Sequence, residues 1–124
     1  MWAGDLLFIR VGHRKRRESI GPWDAAAARA GLHPPVMELV AERQVALLGS
    51  DGNNDTAPSI AEGVDFPVHV FAIRALGLPL LDYLNLEDLA TTCNYLGRWS
   101  SLCVIAPLRL PVGTGSPINP IAVF

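Results

Sequence analysis

Val45-Ala46-Leu47-Leu48-Gly49-Ser50-Asp51 is a short apolar run closed by a glycine, a serine and an acid. Such a run, bounded by turn-forming residues and far too short for a free-standing helix, is β-capable. Immediately before it, after the break at Pro34 and Pro35, Val36 to Arg43 sets Val36, Leu39 and Val40 at helical spacing with Glu38 and Glu42 on the other side. Helix therefore gives way directly to strand, which is the alternation of an α/β protein. A second apolar run, Leu6, Leu7, Phe8, Ile9 and Val11 between Asp5 and Gly12, suits another strand buried on both faces. The fold class expected is α/β, a mixed sheet with short flanking helices.

The rest of the chain fills in around these elements. His13-Arg14-Lys15-Arg16-Arg17 reads as a solvated loop, and Asp24 as the N-cap of a two-turn helix over Ala25–Ala30, ended by Gly31 at positive φ. Residues 52 to 67 lack periodicity and form a long loop carrying Asn53, Asn54 and Asp55, a kind of segment that often serves function. Val68 to Leu76 is expected to be a short buried helix stopped by Gly77, and Leu78 to Leu84 to be extended. A helix over Leu86–Cys93 follows, with Asn85 as N-cap and Glu87 and Asp88 where the helix dipole favours negative charge. Ser101–Leu110 and Ile118–Phe124 are β-rich, joined by a turn at residues 113–117.

At 124 residues, half of them hydrophobic, the chain is expected to form one domain over residues 1–124. A charged fraction of 18% and a net charge of -2 give no reason to expect nucleic acid or an anionic membrane as partner. No apolar run approaches the ~18 residues of a membrane span, and the N-terminus does not read as a signal peptide, so a soluble cytoplasmic protein is expected. Cys93 and Cys103 lack a C-x-x-C spacing and read as two buried thiols in a reducing cytoplasm.

Three histidines are present, and only one invites chemistry. His13 and His33 have no carboxylate or second histidine at ligand spacing and read as exposed structural residues. His69 opens an apolar helix, whose positive N-terminus disfavours the imidazolium and leaves a neutral ring able to donate a lone pair to a metal. On spacing alone, a satisfied core histidine is the stronger reading. Asp51 stands at a strand end, where α/β proteins place ligands, and Asp82 is a carboxylate inserted in an apolar run, where it needs a partner or a metal. Both acids could instead cap backbone amides. No phosphate-binding glycine loop, G-x-S-x-G elbow or H-E-x-x-H motif occurs, so metal-free nucleophilic catalysis has no support.

Segments in order along nearly the whole chain carry a resemblance: residues 4–13, 21–24, 30–34, 45–51, 67–69, 75–82, 106–110 and 113–122. They include Gly21-Pro22-Trp23-Asp24, Pro67-Val68-His69 and Gly113-Thr114-Gly115-Ser116-Pro117-Ile118-Asn119-Pro120. Taken together they resemble the C-terminal half of cyclase-family hydrolases, the group that includes kynurenine formamidase and isatin hydrolase. The resemblance implies part of a swivelling β/β/α-type fold and metal-dependent hydrolysis of a small amide, formamide, cyclic amide or ester. It implies His69 as a metal ligand, Asp51 as an active-site residue, and Asp82 as a further ligand in the place of that family's glutamate. The family's hallmark, His-x-Gly-Thr-His-x-Asp-x-Pro-x-His, has no counterpart in this chain. Zinc or manganese is therefore expected only with the missing N-terminal ligands, through a homo-oligomer or association with an N-terminal half. The chain alone is expected to be inactive. The alternative is a non-catalytic small-ligand-binding or interaction module on the same scaffold.

Overall fold

Leu6–Ile9 (β1), Leu47–Ser50 (β2) and Leu80–Leu81 (β3) run parallel in the order β1-β2-β3, with Leu7 opposite Leu48 and Leu48 opposite Leu80. The computed structural model describes residues 1–124, in two units, Met1–Leu86 and Glu87–Phe124. The central strand β2 is buried along its length, while β1 and β3 are half-buried. β2 starts two residues later than its apolar run, because Val45 N–H donates to Val40 O and Ala46 N–H to Asp5 O as the chain leaves the helix. Gly49 lies inside the strand for a steric reason: a Cβ there would stand 2.7 Å from the Phe8 ring.

The helix Val36–Glu42 (α2) supplies Met37 and Val40 to a core completed by Val45, Leu48, Val68, Ala72 and Leu78. Leu39, expected on its apolar face, is instead exposed. After the long loop, Pro67–His69 (α3) continues into a π-helical segment, Val70–Leu76, which Gly77 ends at φ 62°. Val68 and Ala72 face the core, but Val70, Phe71, Ile73 and Leu76 are exposed, so this helix is buried on one side only.

Two segments differ from their sequence reading. The basic stretch is a helix, His13–Ile20 (α1), rather than a loop. Arg, Lys and Glu are good helix formers, Arg14 Nε pairs with Glu18 across one turn at 2.9 Å, and Gly12 and Gly21, both at positive φ, close its ends. The alanine run, conversely, makes a single turn over Asp24, whose Oδ1 accepts the Ala26 and Ala27 amides. Arg29 then leaves the helical path to pair with Ala57 through two 3.1 Å backbone hydrogen bonds. Gly31 is not a left-handed cap; it is where the chain passes so close to Asp55 that a Cβ would stand 2.3 Å from the Asp55 carbonyl carbon. Tertiary pairing with residues 55–57 outweighs the helix propensity of alanine.

The second unit holds Glu87–Leu96 (α4), with Glu87 and Asp88 in its first turn as expected, and an antiparallel pair, Leu102–Val104 (β4) with Ile121–Val123 (β5). Each strand is three residues long, shorter than its β-rich run. Ser116 Oγ, in the connection between them, accepts the Leu108 amide at 2.8 Å. Cys93 is buried and Cys103 half-buried, and both are free. The α/β class holds, with parallel and antiparallel strands in separate sheets. No helix is long and apolar enough to cross a membrane.

Gly31→Ala tests the close approach. Overpacking against backbone is expected to cost about 1–3 kcal/mol in urea unfolding. A neutral or stabilising effect, as for an unconstrained glycine at negative φ, would contradict the contact.

Candidate functional site

Parallel pairing puts the C-terminal ends of all three strands on one rim of the sheet, the edge at which open α/β sheets bind ligands. Asp51 follows β2 directly and Asp82 follows β3 directly, so two of the residues singled out in the sequence share this rim. Asp51 is buried, and its Oδ1 accepts the Val11 amide at 2.6 Å while Oδ2 accepts the Gly12 amide at 3.0 Å. Its carboxylate thus ties the exit of β1 to the exit of β2. His69 and Asp82 are brought together, with Nε2 and Oδ2 3.1 Å apart.

What brings them together is the triplet Asn53-Asn54-Asp55. Asp55 is fully buried; its Oδ1 accepts the Val68 amide at 2.6 Å, and its Oδ2 accepts the His69 amide at 3.2 Å and lies 2.5 Å from His69 Nδ1. The first amides of a helix have no partner within it, and here a remote carboxylate supplies one. Asn54, also fully buried, holds Asp82: Oδ1 of the acid accepts Asn54 N–H at 3.1 Å and Asn54 Nδ2 at 2.7 Å. That leaves Oδ2 of Asp82 as the oxygen facing the imidazole. The triplet itself is fixed by Leu32 N–H donating to Asn54 O at 2.8 Å and Arg29 Nε donating to Asp55 O at 2.9 Å. Sequence reading flagged this loop by composition but did not separate Asp55 and Asn54 from it. Nothing local marks them, because their partners lie 13 and 28 residues away.

Electrostatics follow from this arrangement. The Asp55 hydrogen bond, with that of Asp82 behind it, raises the His69 pKa to about 9 against the opposing effect of burial. The neutral ring expected from the helix N-terminus is overturned, because two carboxylates in hydrogen-bond contact outweigh a partial dipole charge. Burial alone would raise the Asp82 pKa, but the His69 and Asn54 hydrogen bonds together bring it below its ordinary value.

The rim beside this pair is aromatic. His13 is half-buried rather than exposed, with its ring 4.7 Å from Trp23 and 5.2 Å from Tyr83, and Arg16 sits 4.8 Å over Trp23. Tyr83 adopts φ 56°, uncommon for a non-glycine residue, while its N–H donates to Gly52 O at 3.0 Å. His33 is exposed, as read from the sequence.

Two zinc bonds of roughly 2.0–2.1 Å at a tetrahedral angle set their ligand atoms about 3.3 Å apart. His69 Nε2 and Asp82 Oδ2, at 3.1 Å, match one edge of such a shell. Asp55 on Nδ1 matches the carboxylate that usually backs a metal-bound imidazole. The match stops there, since no group of three or more His, Cys, Asp or Glu side chains that could hold a metal ion forms in this chain. Three protein ligands are usual even for an open catalytic zinc, so these residues do not make a complete site by themselves.

No family model matches the chain, and no curated protein matches it. A solved structure described as that of a novel cyclase superposes on it with a TM-score of 0.84 at 29% sequence identity, covering 100% of this chain and 41% of the other. The chain therefore has the α/β fold of a cyclase over its whole length, and spans about two fifths of that protein's length.

The raised His69 pKa gives a pH signature in metal-free buffer. A group whose pKa is higher in the folded state stabilises fully below its unfolded value, near 6.5, and that contribution disappears as pH rises through about 9. Urea unfolding free energy should fall over this interval in the native chain and show no such step in His69→Ala. An unchanged pH profile in the variant would show that the two carboxylates do not hold the ring charged.

Proposed function

We propose that this chain carries one part of a metal-dependent hydrolase site that acts on a small amide, formamide, cyclic amide or cyclic ester. The observation that carries the reading is the His69–Asp82 edge, backed by Asp55 and placed on the ligand-binding rim of a fold shared with a cyclase. A divalent ion, zinc or manganese, when bound would polarise the carbonyl and make water a stronger nucleophile. His69 Nε2 and Asp82 Oδ2 are the atoms that would hold it. Asp51 belongs to the site through the Val11–Gly12 backbone that it fixes at the same rim.

The remaining ligands would come from another polypeptide stretch, either an N-terminal half or a second copy. Val70, Phe71 and Ile73, exposed on the helical segment that follows His69, support this by offering apolar surface next to the half-formed site. The chain alone is then inactive. The free thiols Cys93 and Cys103 support a reducing, cytoplasmic setting. A non-catalytic ligand-binding or interaction module is the second reading, favoured by the fact that both ring nitrogens of His69 already face carboxylates.

Metal analysis of the purified chain, alone and co-expressed with the missing half of the cyclase fold, separates the two. The hydrolase reading expects about one zinc or manganese per assembly, none in the isolated chain, and loss on His69→Ala. An assembly that takes up no metal, or takes it up equally well as His69→Ala, would favour the non-catalytic module.

A further inference from the structure

Charge along this chain is segregated. Residues 10–17 hold five of the ten basic residues and none of the twelve acidic ones, although the whole carries a net charge of -2. Four of the five, Arg14 to Arg17, belong to α1, which buries none of its side chains and so does not owe its composition to packing. The helix is nevertheless fixed in place at the strand rim. Asp51 accepts the Val11 and Gly12 amides that lead into it, and the His13 ring lies against Trp23 and Tyr83, the residue after Asp82. Exposed charges more than about 8 Å apart are largely screened at physiological ionic strength, so this cationic helix acts on what arrives at the rim and little beyond it.

We propose that Arg16 and Trp23 form a binding site for a carboxylate carried by a small ligand. Arg14 is already engaged by Glu18, but Arg16 pairs with no carboxylate: its guanidinium carbon lies 4.8 Å over the Trp23 ring. Stacking uses the face of a guanidinium and leaves the N–H donors around its edge available, in the fork that fits a carboxylate. Trp23 is itself a fixed platform, because its Nε1 donates to Ala28 O at 2.7 Å. The acids nearby are occupied: Asp51 binds backbone amides, and Asp82 is held by Asn54 and faces His69. Trp23, His13 and Tyr83 form a continuous run of ring contacts from Arg16 to the residue beside Asp82.

In the hydrolase reading the carboxylate belongs to the substrate, an amide or ester with a second, anionic group held away from the bond that breaks. That substrate class rests on the hydrolase reading, whereas the anion site rests on α1 and Trp23 alone.

Substituting Trp2→Phe and Trp99→Phe, both at exposed positions, leaves Trp23 as the reporting indole. In titrations of this chain in metal-free buffer, N-acetylglycine should change Trp23 fluorescence saturably. Its uncharged counterpart, N-acetylglycinamide, should bind at least about tenfold more weakly, because hydrogen bonds to a charged group are the stronger ones. This comparison leaves every residue of the rim native. Arg16→Gln should weaken N-acetylglycine about tenfold or more. Lys15→Gln removes the same charge from the opposite side of the helix and should change binding by less than about twofold. No saturable change with N-acetylglycine, equal binding of the two probes, or equal losses in the two variants overturns the proposal. Inorganic phosphate binding more tightly than N-acetylglycine also overturns it, since that would mark a general anion patch. If N-acetylglycine binds through Arg16 but the co-expressed assembly takes up no zinc or manganese, the anion site stands and the hydrolase reading fails.

Discussion

A carboxylate removed from water must find donors for its charge or the fold loses several kcal/mol, and Asp55 is such a carboxylate. Its donors are the amides of Val68 and His69 and the Nδ1 of the same histidine, all at the start of one helix. Satisfying Asp55 therefore fixes where that helix begins and which way its histidine points. The same constraint reaches backwards along the chain. Gly31 has no side chain because the Asp55 backbone lies against it, and Arg29 abandons the alanine turn to hold the Asp55 carbonyl.

The parallel sheet supplies the other half of the geometry. Because β1, β2 and β3 run the same way, Val11, Asp51 and Asp82 reach one rim without any long-range instruction beyond strand direction. Asp51 ties the first two exits together, and Asn54 holds Asp82 while its neighbour Asp55 holds His69. Adjacent residues thus position a base from one segment and an acid from another. The outcome is an acid–histidine–acid row at one rim of the sheet, in a chain whose fold matches about two fifths of a larger cyclase structure.

Strand and helix identity were largely legible in the sequence where burial dictates them. The apolar runs at Leu6–Ile9 and Leu47–Leu48 and the periodic stretch at Val36–Glu42 form the elements expected, within a few residues. His69 and Asp82 were legible as chemical anomalies, a histidine and an acid set in apolar surroundings. Their meeting was not, because the bond that enforces it is made by loop residues with no periodicity to read. The alanine run misled for the same reason: propensity is local, and the bridge from Arg29 to Ala57 is not. The basic run misled in the opposite sense, since solvated helices and solvated loops share a composition. The charge on His69 was misjudged because a helix end is visible in sequence and two remote carboxylates are not.

The dependence of the site on Asp55 can be measured as an energy. In a double-mutant cycle of Asp55→Ala and His69→Ala, followed by urea unfolding near pH 6, a charge-assisted contact of this kind should give a coupling of at least about 1 kcal/mol. A coupling indistinguishable from zero would mean that the two side chains stabilise the fold independently, and the account of a histidine held in place by this buried acid would not stand.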